Sequence, residues 1–219
     1  MTRTSAEQTL LTLALMAMVS VLTGCSLLAP SRAPDLKLFA LRDDISPAVP
    51  AVGGLTVSVS PLRSAAGFAG PRMAYVRNKY QLEYYTQSAW VESPAQMLAP
   101  LVVRAVARNG AFGASLLSGS VARSDLQLEA ELVQLQQEFD STPSRVRLTL
   151  RVALVSSESR KLLATRVFES VVDAASEDAA GGAAAANVAT QQVLTDITDW
   201  SGIVAQSENV GRVSSESGH

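Results

Sequence analysis

The segment "DLQLEAELVQLQQEFDSTPSRVRLTLRVALV", Asp125 to Val155, decides the fold. Over Leu126–Leu132, apolar residues alternate with glutamine and glutamate, which predicts a strand with one buried and one wet face. The apolar positions then slip to Val133 and Leu135, so we expect one extra residue there, a β-bulge. After the "DSTPS" loop, every second residue over Val146–Leu154 is apolar. The segment therefore predicts two long antiparallel strands.

Charges on the wet faces of these two strands support their pairing. The second strand carries three arginines opposite the three glutamates of the first: Arg145, Arg147 and Arg151, and Glu129, Glu131 and Glu138. Opposite charges on neighbouring strands stabilise a sheet. A turn at "SSESRK" leads to "LLATRVFESVV", Leu162–Val172, which we predict to be the third strand of a meander.

Upstream, alternating residues predict strands over Leu36–Leu41, at an edge, and over Leu55–Ser60. Met73–Val76 and Tyr80–Thr86 flank the polar "RNK" and predict a hairpin, with Tyr80 in its second strand. A helix should follow. Its predicted start is a capping box of Ser93 and Gln96 around Pro94, and its predicted end is a left-handed turn at Asn109 and Gly110.

A closing helix is predicted from about Ser176 to Trp200, followed by a flexible tail over 207–219. Strands, a capped helix, a meander and a last helix define an α+β class, a mostly antiparallel sheet with two main helices packed on it. A chain of 219 residues, 47% hydrophobic, is long enough for one core. We expect one domain over 36–206.

The N-terminus has the features of a cleaved leader. Leu10–Leu22 is almost unbroken Leu, Ala, Met and Val, too short to span a bilayer but suited to a signal peptide. It closes with Leu22, Thr23, Gly24 and Cys25, which resembles the bacterial lipobox. The resemblance implies a signal peptide over 1–24, acyl chains such as palmitate on Cys25, and a tether over 25–35. A buried cysteine, or a leader cut elsewhere, is the alternative.

Composition argues against several functions. The net charge is −2 with no block of like charge, so nucleic acid is not an expected partner. The single cysteine excludes an internal disulfide, and the single histidine is the C-terminal His219, so we expect no metal site and no histidine-assisted nucleophile. The stretch "AAGGAAAA" lacks the Lys-Ser or Lys-Thr of a phosphate loop. We predict no catalytic residues and no cofactor.

Two pairs of adjacent carboxylates could in principle serve as acid and base groups. Asp43 and Asp44 fit a solvated loop, whereas Glu177 and Asp178 fit a helix N-terminus, where the helix dipole favours negative charge. Neither pair predicts catalysis.

Aromatic residues cluster between Tyr75 and Trp90. Tyrosine and tryptophan are frequent in interface hot spots and also in ordinary sheet cores. We select Tyr75, Tyr85 and Trp90 as candidate partner-binding residues, and the packing interpretation stays open beside it.

The element order, together with "FAGPRMAYVRNKYQLEYYTQSAWVESPAQML" from Phe68 to Leu98, resembles the ABC-type transport auxiliary lipoprotein family. The resemblance implies a noncatalytic lipoprotein held on the periplasmic side of the outer membrane of a Gram-negative bacterium. It implies docking to a periplasmic protein of the mammalian-cell-entry (MCE) type, and through it to an ABC permease and ATPase that transport lipid. Whether copies form a homo-oligomer stays open.

Two other functions remain alternatives. A periplasmic carrier holding one lipid would need an apolar cavity of several hundred cubic ångströms, on the order of other ligand sites. An envelope hydrolase would need a base that the sequence does not supply.

Overall fold

The computed structural model describes residues 35–43, 54–119 and 123–216. The predicted signal peptide over 1–24, the lipobox with Cys25, the tether to residue 34 and the last three residues lie outside the described ranges. Within the described ranges, nine strands and two α-helices follow one another: β1 (Lys37–Phe39), β2 (Leu55–Val59), β3 (Arg63–Ser64), β4 (Arg72–Asn78), β5 (Gln81–Trp90), α1 (Pro94–Ala107), β6 (Phe112–Leu117), β7 (Leu126–Glu138), β8 (Arg145–Ser156), β9 (Leu162–Asp173) and α2 (Ala179–Glu216). A short 3-10 helix, Ala66–Phe68, lies between β3 and β4.

Strand β7 organises the sheet. Along one edge it pairs antiparallel with β8, which in turn pairs antiparallel with β9. Its other edge is shared by three short parallel partners, β2 at its start, β3 in the middle and β4 at its end. Beyond them lie β6 on one side, and β5 with the edge strand β1 on the other. The α+β class, with its long pairings antiparallel, is confirmed.

The predicted bulge is confirmed, and so is the charge pairing of Arg147 and Arg151. Arg145 instead pairs with Asp140, and Glu129 lies 3.8 Å from Arg63. The β7–β8 register shifts between Leu132 and Gln134. On the sheet face away from the helices, which we call the open face, Arg151 lies opposite Glu131 with Nη1 and Oε2 2.7 Å apart. Arg147 binds Glu138 with Nε 2.8 Å from Oε1.

Both helices pack on the other face, the covered face, where the core lies. Alternate residues of β7 and β8 point into it with 0% exposure: Leu126, Leu128, Leu132, Leu148, Leu150, Val152 and Leu154. From the helices, Leu98 and Val102 of α1 and Leu194 and Ile197 of α2 meet them, also at 0% exposure. Burying one such side chain contributes roughly 1.5–3 kcal/mol, so this face provides most of the stability.

Helix α1 begins as its sequence predicts. Pro94 is the first helical residue, the Ser93 N–H donates to Gln96 Oε1 at 3.3 Å, and Pro100 stands in the second turn. The C-terminal end of α1 differs from the prediction. Within the described ranges only Arg160 and Gly119 have a positive φ, so neither Asn109 nor Gly110 is left-handed, and the left-handed ending predicted there is wrong.

The side chain of Asn109 explains the different ending of α1. Its Nδ2 donates to the carbonyl of Thr198 at 2.7 Å, and its Oδ1 accepts from the Ala111 N–H at 3.0 Å. The residue ties the end of α1 to α2, a distant contact that local sequence does not reveal.

Helix α2 starts at Ala179 and continues to Glu216, past the predicted end at Trp200 and through most of the tail expected over 207–219. After nucleation each residue adds one hydrogen bond at little cost, and no proline interrupts the run. Neither described helix has the length and apolarity required to cross a bilayer. Strands β3 and β6 had no counterpart in the sequence analysis.

Candidate docking surface

The β4–β5 hairpin carries the aromatic residues selected from the sequence. Its position is set by β7, since β4 pairs in parallel with the end of β7 and places Tyr75 beside Gln137. Because side chains alternate across a strand, Tyr75 and Glu83 point to the covered face, whereas Ala74 and Tyr84 point to the open face. The hairpin therefore presents a different surface on each side.

Tyr75 is the centre of an aromatic cluster on the covered-face side. Its ring centroid lies 4.7 Å from that of Tyr85 and 5.9 Å, edge to face, from that of Phe139. The Tyr75 hydroxyl donates to Glu83 Oε2 at 2.9 Å and accepts from Arg77 Nη2 at 3.3 Å. The hydrogen bond to Glu83, and then burial, raise the pKa of Tyr75. Its ring remains half-buried and reaches the surface.

Tyr85 fixes this cluster to the body of the protein. Its hydroxyl donates to Gln137 Oε1 at 2.9 Å, and Gln137 Nε2 donates to Ser144 Oγ at 2.9 Å. Burial, reinforced by the negative charge of Asp178, raises the pKa of Tyr85 to about 12. The phenol stays protonated at neutral pH, so it acts as a hydrogen-bond donor and not as a base.

The small residues at the start of α2 make room for Gln137. A Cβ at Gly182 would collide with the Gln137 side-chain oxygen, and a Cβ at Gly181 would collide with Ser176. Five neighbouring alanines are buried against the sheet: Ala179, Ala183, Ala185, Ala186 and Ala189. The stretch "AAGGAAAA" therefore serves close packing of a helix on a sheet.

The carboxylates predicted at this helix N-terminus are found there. Asp178 precedes the first helical residue, and its Oδ1 accepts from the Gly181 N–H at 2.9 Å. That bond, with another from the Ser176 hydroxyl, lowers the pKa of Asp178. Glu177 Oε1 accepts from the Ser144 N–H at 2.9 Å. Both carboxylates are thus structural, and Asp43 is likewise engaged by Arg104, with Oδ1 and Nη2 2.7 Å apart.

Tyr80, at the tip of the hairpin, is the aromatic residue that sequence analysis misplaced. It was expected in the second strand, but Lys79 and Tyr80 form the turn between β4 and β5. Tyr80 is 93% exposed, and Lys79 Nζ lies 5.9 Å from its ring centroid. The two-residue connection between two alternating stretches was the available signal, since such connections are the commonest in hairpins.

Trp90, the third residue selected for partner binding, is buried in the core. It is 4% exposed and packs with Met73 and Leu135 around a cavity of about 10 Å³ below Tyr85. It therefore has almost no surface for a partner, and the structure gives it a packing role. The cavity is far too small for an acyl chain. A larger hollow of about 240 Å³, beside Tyr85 and Asp178, is open to solvent and partly lined by polar groups.

The remaining predicted site is outside the described ranges, since it consists of Leu22, Thr23, Gly24 and Cys25. Within the described ranges, no group of three His, Cys, Asp or Glu residues is placed to hold a metal ion. What the structure displays near the predicted residues is a hairpin with aromatic and cationic side chains at its exposed end.

Comparison with known proteins gives the family. The family described as ABC-type transport auxiliary lipoprotein component matches residues 39–198, and the chain belongs to it. Comparison with curated sequences finds no match. As a member of this family, the protein is a lipoprotein component auxiliary to ABC-type transport.

Solved structures of similar fold include two crystal structures. Protein XCC0632 from Xanthomonas campestris aligns with a TM-score of 0.68 at 24% identity, over 80% of this chain and 98% of that one. An uncharacterized protein aligns with a TM-score of 0.60 at 14% identity, over 75% of this chain and 97% of that one. These likenesses concern the fold.

Proposed function

We propose that the protein is a noncatalytic docking subunit, anchored by lipid on Cys25 to the periplasmic side of the outer membrane. Its partner is the MCE-type protein of an ABC lipid transport system. Family membership supports the transport role. The lipobox supports the anchor.

The exposed end of the β4–β5 hairpin carries the docking part of the proposal. Tyr80 is 93% exposed, and Arg77 and Lys79 are exposed beside it. Tyrosine and arginine are enriched in interface hot spots, and tyrosine combines a large apolar area with a polar hydroxyl. Tyr75 extends the surface, and Tyr85 holds it in place through Gln137.

The test is photo-crosslinking in whole cells from a residue introduced at Tyr80, with mass-spectrometric identification of the product. An adduct with an MCE-type protein is expected. The matched position is Thr195, which is exposed on α2 and should give no such adduct. An adduct of two copies of this chain would show instead that the hairpin mediates self-association, and equal MCE capture from Thr195 would refute the assigned surface.

A companion pair of variants separates docking from folding. Tyr80→Ser should abolish co-purification with the MCE-type protein while leaving the unfolding midpoint unchanged. Ile203→Ser removes a similarly exposed apolar side chain, 65% exposed on α2, and should retain the partner. Cys25→Ser should release the protein from the outer membrane, and unchanged membrane association would refute the anchor.

A further inference from the structure

A second apolar surface lies at the sheet edge formed by β1 and the end of β5. Leu38 pairs with Ala89, and the Val91 N–H donates to the Phe39 carbonyl at 2.8 Å. Three large side chains here are exposed: Leu36 by 55%, Leu38 by 59% and Val91 by 50%. We call Leu36, Leu38, Ala89 and Val91 the edge patch.

The fold does not account for the edge patch. Phe39 and Trp90, the neighbours in the same paired strands, point to the covered face and pack on the core. A strand with one buried face normally carries polar residues on the other. Here the open face is apolar as well, and a cluster of exposed apolar residues marks an interaction site more often than single scattered ones do.

Charges near the edge patch are few. Arg72 is an exposed cation on the same face, and Asp35 and Glu92 are exposed anions next to the patch in sequence. Lys37 alternates to the covered face, where it lines the hollow that contains Asp178. Arg72 pairs with Ala89 in the sheet and stacks its guanidinium 3.7 Å above the ring of Tyr84. With no large excess of either sign, the patch would be held mainly by apolar burial, and we expect its binding to change little with salt.

The length of chain between the predicted anchor and the edge patch bears on what covers the patch. Leu36 follows Cys25 by eleven residues, and a chain of that length spans at most about 40 Å even when fully extended. The edge patch is thus the first apolar surface of the described fold after the anchor. A tether this short gives it a high effective concentration at the membrane.

We propose that the edge patch rests on the phospholipid surface of the membrane that holds the anchor. The proposal depends on the lipidation of Cys25 proposed above. It fixes which side of the domain faces the membrane, a geometry that the acyl chains alone would not impose.

The test uses the full lipidated chain, in which Cys25 has no free thiol and no other cysteine occurs. Leu38→Cys is labelled with an environment-sensitive fluorophore and bound to vesicles of phosphatidylethanolamine and phosphatidylglycerol that carry a nitroxide near the lipid headgroup. The label should lose most of its emission, at low and at high salt alike. Val91→Cys should behave in the same way.

Ile203→Cys is the matched control, because Ile203 is equally apolar and exposed but lies on α2 in the other layer. Its label should keep its emission and be quenched by iodide from the water. Quenching at Leu38 no stronger than at Ile203 would overturn the proposal. So would quenching that disappears in high salt, or shielding of Leu38 that requires an added MCE-type protein.

Intact-mass measurement of the same sample separates this proposal from the one on which it depends. A mass without acyl chains would refute the anchor and, with it, the membrane assignment. Acylated protein with an unquenched Leu38 label would refute the edge patch alone.

Discussion

The two faces of β7 and β8 are formed by alternating residues of the same two strands, yet they differ in chemistry. On the covered face, Leu150 is 0% exposed and packs beneath the helices. On the open face its neighbour Arg151 has a side chain 54% exposed and is paired with Glu131. Dry apolar contacts stabilise the fold strongly, whereas exposed ion pairs contribute little because water competes for both charges. The covered face therefore determines most of the stability, and the ion pairs of the open face contribute less.

The largest expected effect tests this difference on adjacent residues. Leu150→Ala should destabilise the protein by about 2–5 kcal/mol, since it removes buried methyl groups and leaves a cavity. Arg151→Ala should cost only about 0–1 kcal/mol. Urea unfolding followed by circular dichroism measures both. Similar losses in the two variants would show that the open face carries more of the stability than its exposure implies.

The next effect concerns the close approach of α2 to the covered face. Gly182→Ala should cost about 1–3 kcal/mol, because the new methyl group must displace the Gln137 side chain that accepts from Tyr85. Gly110→Ala is the same chemical change in open space at a negative φ. It should leave stability unchanged or raise it by up to about 1 kcal/mol. Thermal unfolding of both variants decides whether packing at Gly182 matters.

Gly182 also illustrates a packing contact that the sequence pattern does not predict. The alternation over Leu126–Leu132 and its slip at Val133 predicted β7 and its bulge, because strand period is a local property. The capping box at Ser93 was equally local. The role of Gly182 depends on Gln137, which lies far away in sequence. From the sequence, "AAGGAAAA" could therefore only be excluded as a phosphate loop. The burial of Trp90 and the parallel pairing of β4 with β7 were hidden for the same reason.

The candidate docking surface was partly predictable. Tyr75 and Tyr85 were selected as aromatic residues in a hairpin, and the structure brings them into contact. Tyr80 was missed because alternation extended the second strand by one residue into the turn. Phe139 was missed because its contact with Tyr75 exists only once β4 lies beside β7.

Within the open face, the two ion pairs should differ from each other. Arg147 makes two contacts with Glu138, whose side chain is only 10% exposed, and a third with Glu169 at 2.7 Å. Arg147→Ala leaves the Glu138 carboxylate largely buried without that partner and should cost about 1–2 kcal/mol, more than Arg151→Ala. The comparison is made by urea unfolding at moderate salt. Equal losses would mean that burial of Glu138 adds nothing to its pairing.

The smallest expected effect lies where α2 begins and depends on pH. Asp178→Ala should cost about 1 kcal/mol at neutral pH because the cap on the Gly181 N–H is lost. Asp178→Asn should cost less, since an amide oxygen also caps. The folded-state pKa of Asp178 is lowered. The charged cap therefore contributes its full stabilisation above the unfolded-state pKa of about 3.9. This stabilisation is lost as the pH falls through the folded-state pKa. Thermal unfolding should show the wild-type advantage over Asp178→Asn at neutral pH and its disappearance in acid. An advantage that persists in acid would mean that the charge of Asp178 contributes nothing, and that the shape of the cap alone holds the helix on the covered face.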